Sequence, residues 1–352
     1  MNDSYVLAPP IPSLDTAAYG TRTFQGLPSI AITGSRIWLA WTGGAGARPG
    51  EVPGDYHTFV YSDDGGRTWS REFYQVPVLP VTDRVGDPRL WTAPDGKLWV
   101  FFFQSGNGQA TDNQMGAWLT IIPDPQAAVP TLQQAGWFAD GIPQRPFLYN
   151  GEWLLPIDYP FMNPRRPERA GQHVYRIDWN NRRFQWVTTL PRNIPEDFTE
   201  PALVQLRDGR VLAHQRMARG LYQRFTTTPG AWQWTAGQPF AGFPTVSTRS
   251  ALLRSPSGRL AMVTNKSSTQ RENMTVAFSA DEGATWPYQH TFDTQAGISY
   301  PDMVFTADGD LLVVYDFGRF YGKIMLARIN EDSIVRGVPE VTLTTVNHAV
   351  RR

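Results

Sequence analysis

The chain is 352 residues long, 41 % hydrophobic and 13 % aromatic, enough to bury a large core, with 31 glycines and 29 prolines spread along it. Thirty-two basic residues balance 32 acidic ones, so there is no electrostatic footprint for a nucleic-acid duplex or an anionic membrane. No cysteine is present, which excludes disulfides and thiolate metal sites, and no apolar run approaches the roughly 20 residues of a membrane-spanning helix.

Met1 to Asp15 has no basic region followed by an apolar core. The expectation is a soluble cytoplasmic protein, or a periplasmic or secreted one if a leader precedes this segment. The cations are nearly all arginines; Lys97, Lys266 and Lys323 are the only lysines. Arginine is the better bidentate partner for a carboxylate.

One pattern recurs along the chain: an apolar strand, a tight turn with glycine, and a second strand rich in Leu, Val, Ile and Trp. The copies are Ser29–Trp41 turning at Gly34, Arg89–Phe103 at Gly96 and Phe147–Ile157 at Gly151. Ala202–Gln215 at Gly209, Ala251–Thr264 at Gly258 and Met303–Tyr315 at Gly309 follow. Asp-Gly, Asn-Gly, Ser-Gly and Thr-Gly turns between β-formers are strong hairpin signals. The turn glycines lie roughly 50 to 60 residues apart, the length of a four-stranded propeller blade with its loops. Six hairpins predict an all-β, six-bladed β-propeller of four-stranded antiparallel blades. With no linker or low-complexity stretch between copies, it is expected to form one domain over residues 1–352.

Between hairpins sit Ser62-Asp63-Asp64-Gly65-Gly66-Arg67-Thr68-Trp69 and Ser279-Ala280-Asp281-Glu282-Gly283-Ala284-Thr285-Trp286, both S-x-D-x-G-x-T-W. In such a turn the Asp accepts backbone N–H bonds, Gly takes a positive φ and Trp packs between strands. Thr226–Trp234 reads as a worn third copy. Asp64 and Asp281 are therefore structural.

In a propeller, the first-strand starts, second-strand ends and following loops of all blades meet at one mouth of the central channel, a natural ligand site. First strands contribute Asp87, Arg145, Glu200, Arg249, Tyr300 and Asp302. Second strands contribute Gln104, Asp158, Arg216, Lys266 and Asp316, and loops add Glu51, Asp55, His57, Arg271 and Arg319. Charges of both signs at one mouth of a neutral protein suit a polar, anionic small ligand. The five histidines show no metal-ligand spacing, and no glycine loop runs from a strand into a helix, so no metal or nucleotide cofactor is expected. His57 and His214 are expected near the mouth.

The two S-x-D-x-G-x-T-W turns resemble the Asp boxes of the sialidase superfamily. The stretches Gln25–Pro28, Asp87–Trp91 and Ser299–Asp302 are similar to a bacterial branch with a BNR-repeat-like domain. The resemblance extends over nearly the whole chain. Thr199-Glu200-Pro201 through Arg216 looks like the sialidase segment in which a Glu opens a strand and an Arg closes the next. Arg271 to Val276 looks like the segment carrying the last of three carboxylate-binding arginines. Ser299-Tyr300-Pro301-Asp302 resembles the segment of the nucleophilic tyrosine.

The resemblance implies an exo-acting, retaining glycosidase that removes an acidic terminal sugar from a glycan. Tyr300 would be the nucleophile, Glu200 its base, and Arg216 and Arg271 the clamp on the substrate carboxylate, with Asp87 also catalytic. Phenols ionise near pH 10, so a carboxylate must take the proton as attack proceeds. Arg249, Arg145, Asp302, Gln25, His57 and Arg319 are the further expected substrate contacts. Two departures stand out. Phe24-Gln25-Gly26-Leu27-Pro28 carries no arginine where the family has the first of its three. The family's acid/base Asp is replaced by Glu51, in Pro49–Tyr56. Alternatives are a lyase acting next to a uronate, with His57, His214 or Tyr300 as base, a rhamnosidase-type propeller, and a glycan-binding propeller without catalysis.

Overall fold

Apolar runs that are unbroken rather than alternating mark strands covered on both faces. Leu98–Ser105 (LWVFFFQS) and Arg36–Gly44 (RIWLAWTGG) are of this kind, and every residue in both is buried. The computed structural model describes residues 7–44, 50–106, 115–159, 171–191, 198–320 and 322–346. Its strands form six antiparallel sheets arranged as a six-bladed β-propeller.

Blade 1 holds β1 (Ile11–Ser13), β2 (Phe24–Thr33), β3 (Arg36–Gly44), β4 (Tyr56–Ser62) and β5 (Phe73–Val76), with helix α1 (Thr16–Tyr19) between β1 and β2. Blade 2 holds β6 (Arg84–Thr92), β7 (Leu98–Ser105), β8 (Gly116–Ile122) and β9 (Gly136–Asp140). In blade 3 the inner strand is split into β10 (Ile142–Pro143) and β11 (Phe147–Tyr149), followed by β12 (Glu152–Tyr159), β13 (Gly171–Asp178) and β14 (Arg183–Leu190). Blade 4 holds β15 (Phe198–Gln205), β16 (Val211–Met217), β17 (Gly220–Phe225) and β18 (Gln238–Pro239). Blade 5 holds β19 (Ala251–Arg254), β20 (Leu260–Asn265), β21 (Met274–Ser279) and β22 (Tyr288–Asp293). Blade 6 holds β23 (Ile298–Phe305), β24 (Leu311–Phe317), β25 (Lys323–Ile329) and β26 (Val341–Thr345), with α2 (Glu331–Val335) before β26.

All six expected hairpins form, each turning at the expected glycine with φ between +56° and +92°. Two details differ from six equal blades. Blade 1 gains a fifth, outermost strand because Ile11–Ser13 pairs with β5, and the first strand of blade 3 is interrupted.

The core lies between blades, as the two-residue period of a strand requires. Leu98, Val100 and Phe102 of β7 face Trp38 and Phe59 of blade 1. Trp99 and Phe101 face Leu155 and Ile157 of blade 3. On β24, Leu312 and Val314 meet Ile37, Leu39 and Trp41, while Val313 and Tyr315 meet Val263 and Val276. β2 lies against both β6 and β23, so the first and last blades close the ring. Ser29 Oγ donates to Asp302 Oδ2 (2.6 Å) and Leu27 N–H to Asp316 Oδ2 (3.0 Å) across that closure.

The Asp boxes join the third and fourth strands of blades 1 and 5, at the hairpin-turn end of the blades. Ser62, at the end of β4, pairs with Ile37 beside the Gly34 turn. Asp64 Oδ1 accepts from the N–H groups of Arg67 (3.0 Å) and Thr68 (2.9 Å), and Ser62 Oγ accepts from Gly66 N–H at 2.8 Å. Ser279, Asp281, Gly283 and Thr285 repeat the pattern. Trp286 packs between blades 4 and 5 and Trp69 between blades 6 and 1. Thr226–Trp234 also closes a turn through an isolated bridge between its ends. Among the described residues no helix is long and apolar enough to cross a membrane.

Candidate active site

The opposite end of the inner strands is shaped by a repeated bulge. In blades 1, 2, 4 and 6, two residues of the first strand face one of the second: Leu27-Pro28, Asp87-Pro88, Glu200-Pro201 and Tyr300-Pro301. Leu27, Asp87, Glu200 and Tyr300 all have φ between +49° and +59°. This left-handed conformation costs a side-chain-bearing residue about 1–3 kcal/mol and clusters at functional sites. Proline suits the second place because it has no N–H to withdraw from the ladder. Blade 3 has Arg145-Pro146 in its interrupted strand, and blade 5 has Arg249-Ser250 just before β19.

These bulge residues form one network. Arg216, at the end of β16, donates from Nη1 to Glu200 Oε2 (2.7 Å) and to the Tyr300 hydroxyl (2.9 Å). Arg249 donates from Nη2 to Glu200 Oε1 (2.9 Å) and to Asp87 Oδ1 (3.1 Å). Burial alone would raise the Glu200 pKa, but the charges of Arg249 and Arg216 outweigh it and hold the carboxyl below its usual range.

Four guanidinium carbons surround the Tyr300 ring, at 4.7 Å (Arg249), 4.8 Å (Arg319), 5.0 Å (Arg271) and 5.7 Å (Arg216) from its centroid. Arg271 donates to Ser247 O at 3.2 Å and makes no ion pair among the described residues. It is the cation most available to an incoming anion. Asp87, Glu200, Arg216, Arg249, Arg271, Tyr300 and Arg319 are thus brought together.

Arg319 is held by Glu51 and lies 3.6 Å from Asp316. It reaches the site over Gly26: a Cβ there would stand 2.9 Å from Arg319 Nε and 2.8 Å from Asp316 Oδ2. Glu51 also pairs with Arg84 at 3.2 Å. Burial opposes ionisation of Glu51, yet Arg319 and Arg84 lower its pKa overall. A carboxylate held ionised in this way does not suit the expected acid. Its neighbour Asp55 behaves oppositely. Burial pushes Asp55 well above the usual range despite Arg84 at 3.5 Å. Arg84, which the sequence reading passed over, links these two acids.

Other expected site residues lie elsewhere. His57 and His214 are fully buried between blades, against Phe59 and Phe102 and against Phe240 and Trp286 respectively. Burial pushes them down to about 4 and about 3, so neither is a solvent-reachable base. Arg145 pairs with Asp302 at 2.8 Å, and Asp302 also accepts from Ser29 and Ile30. These contacts tie blades 3, 6 and 1 together. Gln25 is buried, accepting from Arg22 Nε (2.9 Å) and donating to Gly322 O (2.5 Å). Arg22 is bound in turn to Glu72 at 2.7 Å, so Arg22 is not a free cation at this point. Asp158 is buried under Glu200, whose N–H lies 3.4 Å from its Oδ2. Burial and then the Glu200 charge push Asp158 well above the carboxylate range. No cluster of His, Asp or Glu among the described residues could hold a metal ion.

Six antiparallel blades in a ring, Asp boxes at one end and a cluster of arginines around a tyrosine at the other define the sialidase type of β-propeller. The model of the BNR repeat-like domain family matches residues 40–313, most of the chain, and the chain belongs to that family. No curated protein matches it. Solved structures similar to it include the Hadza microbial sialidase Hz136 (14 % identity, TM-score 0.68, 84 % of this chain and 64 % of that one). A protein of unknown function from Dyadobacter fermentans aligns at 16 % identity and TM-score 0.66, over 87 % of this chain and 94 % of that one. The intramolecular trans-sialidase from Ruminococcus gnavus aligns at 13 % identity and TM-score 0.63, over 92 % and 98 %. The chain spans less than two thirds of the Hz136 structure. At these identities the likeness is one of fold.

Proposed function

We propose that the protein is an exo-acting glycoside hydrolase that removes a carboxylated terminal sugar from a glycan, with retention, through Tyr300. The observation that carries this reading is the Tyr300 hydroxyl bonded to Arg216 Nη1, itself bonded to Glu200, inside a ring of four guanidiniums. Such a ring favours a carboxylated ligand through charge-assisted bonds. It also stabilises negative charge that develops on the phenolic oxygen during attack.

Arg271, Arg216 and Arg319 would hold the substrate carboxylate. In the free protein Arg216 occupies Glu200, so its transfer to the substrate would free Glu200 to accept the phenolic proton. Losing that cation makes Glu200 a stronger base. Tyr300 Oη then bonds to the anomeric carbon as the leaving oxygen departs, and water cleaves the glycosyl–tyrosine bond in the second step. On the 50–55 loop, Asp55 is buried and burial raises its pKa, whereas Glu51 is held ionised and orders Arg319 and Arg84.

The test uses chromogenic aryl glycosides of carboxylated sugars. Tyr300→Phe should lower kcat by about 10³-fold or more while calorimetric affinity for the free sugar acid stays within a few-fold. Full activity in Tyr300→Phe would sink the mechanism. Tight binding of acidic sugars by the wild type without any product would make the protein a glycan-binding propeller instead.

A further inference from the structure

Inside the ring, the central tunnel contains a cavity of about 30 Å³, lined among others by Arg89, Arg145, Glu200, Arg249, Ser250 and Asp302. Arg89 follows the bulge proline of blade 2 and is 2 % exposed. Nη1 donates to Pro88 O at 2.9 Å, Nη2 has no partner, and no carboxylate comes within ion-pair distance among the described residues. Asp87, Asp302 and Glu200 act on it only from beyond ion-pair distance, and a buried cation without a direct partner is destabilising. Arg249 adds two more unused donor nitrogens, Nε and Nη1, and Ser250 an unpartnered hydroxyl.

The carboxylates on the cavity wall, by contrast, are fully engaged. Both oxygens of Glu200 are bonded by Arg216 and Arg249, and both oxygens of Asp302 by Arg145, Ser29, Ile30 and Met303. The unused donors of Arg89, Arg249 and Ser250 find no carboxylate oxygen left on this wall. The charged side chains that line the cavity are Arg89, Arg145 and Arg249 against Glu200 and Asp302, which leaves one positive charge over.

We propose that the tunnel binds one small monovalent anion of the halide class, held between Arg89 and Arg249. The cavity has room for two or three waters, at roughly 10–15 Å³ each, or one monatomic anion, and is too small for a sulfate or phosphate. Burial and the charge of Arg249 pull Arg89 down to about 10, as expected of two guanidiniums that line one small cavity. The cavity shares Glu200 and Arg249 with the network at the mouth of the channel, but Arg89 belongs to the cavity alone.

Crystals of the full chain grown in sodium bromide provide the direct test. An anomalous peak is expected between Arg89 and Arg249, and density for water alone would overturn the proposal. Thermal unfolding in sodium chloride and in sodium gluconate at equal ionic strength gives a second reading. Chloride should raise the wild-type Tm by about 2 °C or more, and Arg89→Gln should lose that difference. A chloride effect that persists in Arg89→Gln would place the ion elsewhere and overturn the assignment. If Arg89→Gln does not fold, the bromide map of the wild type still decides.

Discussion

Tyr300, Glu200 and Asp87 share a backbone conformation that residues with a Cβ adopt at a cost, and the following proline fixes each in place. The strain directs three polar side chains toward Arg216 and Arg249 without relying on mobile loops. Arg319 is positioned differently, by the absence of a side chain at Gly26. Gly26 has no positive φ, so alanine fits its backbone, and the atoms nearest the new methyl belong to the Arg319 and Asp316 side chains. Gly26→Ala should therefore displace Arg319 while the propeller still forms. The loss of one charge-assisted contact, about 1.5–3 kcal/mol, predicts a KM raised about 10- to 100-fold with kcat changed far less. Unchanged steady-state kinetics would mean that Arg319 does not touch substrate.

The repeated element is the hairpin with its bulge, and its parts differ in how plainly they can be read. The glycine turns are visible because Asp-Gly and Asn-Gly pairs have local meaning. The bulge was also written in the chain, as a proline after Leu27, Asp87, Arg145, Glu200 and Tyr300, but the positive φ that gives it purpose is a matter of strand register. Register is likewise why His57 and His214 were expected at the mouth: a strand end has two faces, and both histidines take the one turned into a blade interface. The Ile11–Ser13 strand carries no pattern of its own and is recruited by the free edge of β5. The Asp boxes act at the other end of the same elements. Ser279→Ala would leave the Gly283 N–H without its acceptor, a loss of about 1–3 kcal/mol for a buried donor. Chemical denaturation should show that loss with kcat unaltered. Equal stability would mean that Asp281 and Thr285 hold the turn alone.

Taken whole, the ring buries titratable groups between blades as well as around its channel, and this ties its stability to pH. Among the described residues His214 has no partner for either ring nitrogen, and it is wholly enclosed by the blade 4–5 interface. Burial lowers it from 6.5 to about 3. Below about pH 6.5 the unfolded chain protonates this imidazole while the folded protein does not. The unfolded state then binds the extra proton, and stability falls as pH falls. The loss approaches about 1.4 kcal/mol per pH unit and runs from about pH 6.5 down toward pH 3. Asp55, Asp158 and Asp316, whose pKa values burial raises, act in the opposite sense, because their contribution is lost as pH rises. The wild-type profile alone therefore does not isolate the histidine, but a difference between two proteins does. In His214→Phe the carboxyl contributions remain and the imidazole is gone, while any repacking against Phe240 and Trp286 adds an offset that does not vary with pH. The variant should gain on the wild type by about 1 kcal/mol or more for each unit between pH 6 and pH 4, measured by urea unfolding at each pH. Parallel profiles would show that His214 is protonated inside the folded ring, and so that this interface admits water.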